Sequence, residues 1–362
     1  MTERHLPNVK WQVLPGADFD RRSLDWDRLG EAVGAPPFLR SAFLRPALKE
    51  FGSRQEVLAA CSVDRDLRAM ALLTRRSRGL WATFQPSQLP LGAWIMHPGE
   101  DLESLLESLL RALPGFGLAI GVTQIDPELT PRPPARSRLR TLDYIETAWV
   151  PLERSFDAYW EGRGKNLRTN MRKQRAKLEA EGTKTRLEEL TRPEEVAGVI
   201  ADYGRLESVG WKAAGGTAIH PDNAQGRFYR AMLESFCAAG AGRMYRYWFG
   251  DKVVAVDLCI EGGGTLVVLK TTYDESIKTY SPAFLMRQEA FKRLFDEGRV
   301  RRVEFFGRLM DWHTRWTSEA RGLYHINYYR WAWLPKLRDR FVPRPPAAGP
   351  GGTPEPDTVT PG

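Results

Sequence analysis

The stretch Lys278-Thr279-Tyr280-Ser281-Pro282 brings an ammonium and three hydroxyls to what reads as the start of a helix. Serine followed by proline is the pattern of an N-cap and a first helical residue. Helix starts present unpaired N–H groups and the positive end of the macrodipole, so these side chains suit an anion of phosphate size. An ordinary capped helix with Lys278 in solvent has the same pattern, and both readings stay open. Upstream, Asp257 is the lone acid of the apolar run Val-Ala-Val-Asp-Leu-Cys-Ile. Burial there would raise its pKa into the range of a general base; equally, Asp257 is a structural acid paired with Lys270 on the adjacent strand. Tyr273, Asp274, Asp311 and His313 stand in loops past strand ends, where each is placed to shuttle a proton, although a histidine alone is also an ordinary packing residue.

The elements that must position these groups follow from alternation and turn residues. Arg243–Phe249 reads as a strand, Gly250-Asp251 turns it, Val253–Ile260 is a second strand and Gly262-Gly-Gly264 leads into Thr265–Thr271. A helix is expected from Ser281-Pro282 to Gly298, then a closing strand over Val300–Phe306. Arg287 interrupts that helix's apolar stripe of Met286, Ala290, Phe291 and Leu294, reaching for phosphate or snorkelling to solvent.

The first half of the chain repeats part of this order. Val57–Val63, Leu67–Thr74 and Leu80–Phe84 read as antiparallel strands, and Val63–Ala69 resembles Phe249–Ala255. We read a weak internal repeat of one lobe, with similarity between unrelated hairpins as the alternative. Where the second copy has its basic loop, the first has Gln85-Pro-Ser-Gln-Leu-Pro-Leu-Gly92 and then an amphipathic helix over Leu102–Leu113, expected to serve packing and substrate selection. Residues 1–40 read as polar with isolated tryptophans at 11 and 26; strands are expected over Phe116–Thr123, Arg140–Val150 and Tyr324–Trp333. Lys165, Arg168, Arg172 and Arg175 share one face of a helix, either solvated or set against an anion. Trp211-Lys212 lies in a glycine-rich loop before another helix, Asn223–Ala239.

At 362 residues the chain suits two lobes, and 42% hydrophobic content with 12 tryptophans argues for a folded protein. A net charge of +8 fits nucleic acid, an anionic membrane or an acidic small molecule without choosing among them. Cys61, Cys237 and Cys259 are odd in number and widely spaced, which supports neither a disulfide framework nor a zinc site, so no metal is expected and the cytoplasm is the expected location. No export or membrane-spanning segment is read in the sequence. Nucleophile-elbow, Walker, dinucleotide-fingerprint and His-Glu-x-x-His patterns do not occur in it.

Trp211-Lys212 followed by Gly216-Thr-Ala-Ile219, then Leu269-Lys-Thr-Thr-Tyr-Asp274 leading to Tyr280-Ser281-Pro282, resembles the GNAT-type acetyltransferases of the CelD-like family, associated with cellulose and exopolysaccharide loci. These are similar in turn to the two-lobed FemABX transferases. The match runs from about Phe156 to Arg308, with Ala283 where the family usually has glycine. The resemblance implies an α/β (α+β) fold of two tandem GNAT-like lobes, each a mixed, mostly antiparallel sheet flanked by helices. It divides the chain into a degenerate lobe at 1–150, an acyltransferase lobe at 151–341 and a proline–glycine tail at 342–362.

It further implies transfer of an acetyl or longer acyl group from acyl-CoA to an amine, on a sugar or cell-envelope precursor. Leu269 and Thr271 would receive the pantetheine, Lys278, Thr279, Tyr280 and Ser281 the phosphates, and Trp211, Lys212, Arg168 and Arg172 the acceptor. The catalytic candidates are Asp257, Lys270, Tyr273, Asp274, Asp311 and His313. An aminoacyl-tRNA-dependent transferase and a non-catalytic binding protein of a polysaccharide machine are the alternatives, with no DNA partner expected.

Overall fold

The computed structural model describes residues 9–209 and 219–341. Trp211, Lys212 and the proline–glycine tail lie outside the described residues. The first half contains β1 (Val9–Pro15), α1 (Phe19–Ala32), α2 (Ser41–Phe51), β2 (Val57–Val63), β3 (Asp66–Ser77), β4 (Leu80–Thr83), β5 (Trp94–Met96), α3 (Leu102–Ala112), β6 (Ala119–Ile125) and β7 (Leu139–Pro151). The second runs α4 (Phe156–Glu161), α5 (Lys165–Ala180), β8 (Thr185–Leu190), α6 (Val196–Val209), α7 (Ala224–Ala238), β9 (Gly242–Phe249), β10 (Lys252–Gly262) and β11 (Thr265–Tyr273). It closes with α8 (Pro282–Glu297), β12 (Arg302–Glu304), α9 (Asp311–Thr314), β13 (Ala320–Tyr329) and α10 (Leu334–Phe341).

The strands form one continuous sheet in the order β1-β2-β3-β4-β6-β13-β7-β12-β11-β10-β9-β8, with β5 added onto β3. Its two halves follow one plan: β1 to β4 and β8 to β11 are antiparallel runs, each joined to a parallel neighbour, β6 or β12, and then to an antiparallel closing strand. The closing strands are exchanged. β7, from the middle of the chain, closes the second half, whereas β13, from its end, closes the first, and the two pair antiparallel at the centre. The result is an α/β fold of two tandem GNAT-like lobes sharing one mixed, mostly antiparallel sheet.

Both faces of the sheet are covered, which explains why Val253 to Ile260 is buried without interruption rather than alternating. α1, α2, α6 and α7 cover one face in a single core that crosses both halves, where Phe43 meets Phe228 edge-on at 5.1 Å. α4, α5 and α8 cover the other face of the second half, and α3 packs against the first. α8 begins at Pro282 and ends at Gly298, whose φ of 65° supplies the left-handed residue that stops it.

Expectations shift at several elements. The last strand, expected over Tyr324–Trp333, runs over Ala320–Tyr329 instead. Residues 19–32, read as polar, form a helix that buries Phe19, Ser23, Trp26 and Leu29 along one side; too few apolar residues mark that stripe for the pattern to show. The strand expected from Phe116 starts at Ala119, because Gly115 turns the chain at φ 76° and leaves Phe116 exposed.

Candidate active site at a divergence of two parallel strands

β11 and β12 pair in parallel over only three positions, Thr265 with Arg302, Leu266 with Val303 and Val267 with Glu304. Beyond them the chain leaves β11: the N–H of Phe305 donates to the carbonyl of Ala148 on β7, and Phe306 takes a φ of 51°. β11 itself continues to Tyr273, so its last residues have lost that parallel neighbour. A register shift between Leu258 and Cys259 sits opposite Leu269 and adds to the local twist. One cavity opens on each face of this gap.

The cavity on the α8 side holds about 340 Å3 and is lined by Thr271, Tyr273, Lys278, Ser281, Phe284, Arg287 and Trp312 among others. Arg287, 3% exposed, forms part of its wall. Its Nη2 donates to Thr271 Oγ1 at 2.9 Å and lies 3.4 Å from Asp257 Oδ2, while its guanidinium faces the rings of Phe305 and Trp312. Arg287 Nε and Asp257 Oδ1 are buried without a hydrogen-bond partner among the described residues. Burial pushes the Asp257 carboxyl above its ordinary range, against the opposing pull of Arg287.

Two readings are corrected here. The partner of Asp257 is Arg287 and not Lys270: Asp257 is registered with Thr271, whereas Lys270 stands opposite Leu258 and lines the cavity on the other face. Arg287 does not snorkel outward, because the carboxylate beneath the sheet surface and two aromatic rings hold it inside.

The loop between β11 and α8 is a 3₁₀ turn over Glu275–Tyr280. Asp274 caps it by accepting from the Ser276 N–H at 3.0 Å and hydroxyl at 2.5 Å, and pairs with Lys252 at 2.6 Å. Burial alone would raise its pKa, but Lys252 and the Ser276 donors outweigh that and hold the carboxyl below its usual range. Ser281 occupies the N-cap position yet makes no side-chain cap; it sits at φ 53°, ψ 50°, with Asn170 Nδ2 3.5 Å from its hydroxyl. The expected capping bond is absent because this left-handed conformation turns the residue away from the first helical turn.

The remaining candidates divide. Lys278, Ser281, Thr271 and Tyr273 share the α8-side cavity. Thr279 is exposed, and Tyr280 faces away, with its hydroxyl donating to Glu181 at 3.0 Å and Lys177 4.0 Å above its ring. Leu269 lies on the opposite face with Lys270. His313 is buried, stacks on Trp312 at 3.5 Å and accepts the Met310 N–H through Nδ1. Burial and the charge of Arg287 push its pKa down to about 4. Asp311 is exposed at the first residue of α9. On α5, Arg168 donates to the Arg163 carbonyl at 3.1 Å, Arg175 pairs with Glu289 at 2.8 Å and Arg172 is exposed.

The second cavity, about 480 Å3, faces the first lobe. Residues 85–90 reach across to form one wall, with Gln124 and Tyr144; Leu269, Lys270 and Phe305 to Arg308 form the other. Sequence reasoning did not single out Gln88, Gln124 or Tyr144. The one available signal was the run of amide and proline residues standing where the other copy carries its basic loop. The backbone N–H of Gln124, at φ 47°, donates to His325 Nδ1 at 3.0 Å, and Tyr144 packs edge-on to that imidazole at 4.7 Å.

Among the described residues, no helix is long and apolar enough to cross a membrane, and no group of three histidine, cysteine or acidic side chains is placed to hold a metal ion. Residues 165–322 match the acetyltransferase (GNAT) domain family. No curated protein matches the chain. Among solved structures, the C-terminal domain of a putative lysylphosphatidylglycerol synthetase from Agrobacterium fabrum is similar at 14% identity and TM-score 0.55, over 90% of this chain and 96% of that one. A crystal structure of FemX is similar at 10% identity and TM-score 0.56, over 87% and 98%. A conserved protein of unknown function from Bacteroides thetaiotaomicron aligns at 10% identity and TM-score 0.55, over 85% and 97%. At these identities the structural likenesses show the fold; the domain match shows that the chain is an acyltransferase.

Proposed function

We propose that this acyltransferase moves an acyl group from a coenzyme A thioester, held in the α8-side cavity, to an amine that enters from the face of the first lobe. The acceptor amine belongs to a sugar or cell-envelope precursor, as the likeness to CelD-like proteins suggests. The observation that supports this most is the early end of the β11–β12 ladder, with a cavity on either face of the gap. Such a gap lets a donor arm and an acceptor meet through the sheet while neither blocks the other's entrance.

The residues present fit a phosphorylated thioester. β11 from Val268 to Tyr273 offers a strand edge to the amides of the arm; Lys278 and the start of α8 offer positive potential to its phosphates. The small side chain of Ala283 lines the same wall. When bound, the thioester supplies an activated acyl carbon. Thr271 and Arg287 line that cavity, and Asp257, which is not among its lining residues, acts through Arg287 as a positioning residue. Phe284 and Trp312 exclude water from the wall above them.

Titration of the full chain with acetyl-CoA, followed by heat and by the shift in unfolding temperature, tests the reading. Saturable binding lost in a Lys278→Glu, Ala283→Trp double variant is expected; no binding by folded protein would overturn it. A second reading, an aminoacyl-tRNA donor, is favoured by exposed Lys165, Arg172 and Lys173 along α5. Steeply salt-dependent tRNA binding with no response to acetyl-CoA would replace the first reading with the second.

A further inference from the structure

The wall contributed by the first lobe contains a polar group with no hydrogen-bond partner among the described residues. Gln88 is 8% exposed and lines the cavity facing the first lobe. Its Nε2 donates to Ser87 Oγ at 2.8 Å, and its Oε1 is buried with no hydrogen-bond partner. Turning the amide over would satisfy the oxygen from the Ser87 hydroxyl and leave the nitrogen alone instead, so one polar atom is orphaned either way. A buried amide atom without a hydrogen bond destabilises the fold, a cost that an apolar residue of the same size would avoid. Gly92 holds the segment in place at the far end: its N–H donates to the Thr123 carbonyl at 2.9 Å, and a Cβ built on it would collide with Thr83 Oγ1.

The surrounding lining has a definite chemistry. Gln85, Gln88 and Gln124 supply amides and Tyr144 a phenol, while Phe306 adds apolar surface. Among the described residues, Lys270 and Arg308 are its charged members, and no aspartate or glutamate lines this cavity. Amides that both donate and accept match vicinal hydroxyls, aromatic rings match the C–H face of a pyranose, and two cations without a carboxylate favour an anion over a free polycation.

We propose that the segment 85–90 of the first lobe is the acceptor-reading element, and that the acceptor is an amino sugar bearing an anionic group, carboxylate or phosphate. Gln88 takes a sugar hydroxyl, and Arg308 and Lys270 face the anion. The proposal rests on the transferase reading above, since it names the acceptor for that same site, but it is tested without the donor.

Saturation-transfer NMR and equilibrium dialysis on the full chain, with glucosamine 6-phosphate, muramic acid, glucosamine and spermidine, read it directly. Expected is binding of at least one anionic amino sugar tenfold or more tighter than glucosamine, and none of spermidine; the phosphate and carboxylate probes show which anion is preferred. Arg308→Gln should erase the tenfold preference. Gln88→Leu should weaken the anionic sugar by tenfold or more while leaving the unfolding temperature unchanged or higher, because it removes an unmet polar atom; a merely structural Gln88 would instead lower that temperature and leave sugar binding intact. Equal binding of charged and neutral sugars, preference for spermidine, or no sugar binding overturns the proposal. Acetyl-CoA binding measured separately keeps the outcomes apart: donor binding without sugar binding sinks only this proposal, and the reverse sinks only the donor assignment.

Discussion

The guanidinium of Arg287 lies 4.7 Å from the centre of the Trp312 ring, which makes a residue of the short helix α9 the cover of a buried charge. The charge is answered by Asp257 at 3.4 Å, a loose contact that leaves one oxygen and one nitrogen of the pair without a partner among the described residues. Removing one partner of a buried pair typically costs about 3–5 kcal/mol, whereas replacing both by apolar groups is often nearly neutral. Arg287→Met should therefore lose on the order of 3 kcal/mol or more in urea unfolding, and Arg287→Met with Asp257→Leu should lose clearly less than the two single changes added together. Simple additivity would show that the residues do not depend on one another.

His313 gives the site a pH signature. Its folded pKa, about 4, is below the ordinary histidine value of 6.5 because burial and Arg287 disfavour the imidazolium. The unfolded chain thus binds a proton that the folded chain refuses, so stability present above about pH 6.5 is lost as the pH falls toward 4. The loss reaches on the order of 3 kcal/mol. Compared with wild type, His313→Gln should have a flatter dependence of unfolding free energy on pH across that window; parallel curves would mean that the ring takes up its proton as readily in the fold as in the unfolded chain.

What the sequence made legible was local. Alternation, the Gly-Gly-Gly turn and Ser281-Pro282 mark β10, β11 and α8 because each signal lies within the element it defines. The exchange of β7 and β13 was not legible, since nothing in either strand says which parallel neighbour it will close. Arg287 misled because a cation in an apolar helical stripe has the same sequence pattern whether it snorkels or pairs; its carboxylate comes from a strand thirty residues away. Gln88 was invisible for another reason. It lies in a segment without periodicity, and its importance comes from burial against the other lobe.

Ser281 stores strain at the start of α8, beside the α8-side cavity. A non-glycine residue in the left-handed region costs about 1–2 kcal/mol. Its hydroxyl is not repaid by a capping bond. Ser281→Gly should relieve the strain, offset in part by the extra freedom of glycine in the unfolded chain, for a net gain of roughly 0.5–1 kcal/mol. Ser281→Val should be destabilising, because a β-branched residue tolerates that conformation poorly. A glycine variant less stable than wild type would mean that the contact with Asn170 outweighs the backbone term.

Lys278 separates a donor site built for phosphate from a cavity that merely looks like one. It lines the cavity beside the start of α8, where its charge and the helix dipole add. Reversing the charge in Lys278→Glu should raise the KM for acetyl-CoA about tenfold or more with a smaller change in kcat, because the contact is made to a remote part of the donor in ground state and transition state alike. Raising the ionic strength should raise the wild-type KM by screening the same attraction, and the variant should respond weakly or in the opposite sense. A variant whose KM and salt response match those of the wild type would place the phosphates elsewhere, and α8 would then be a packing helix with a strained start.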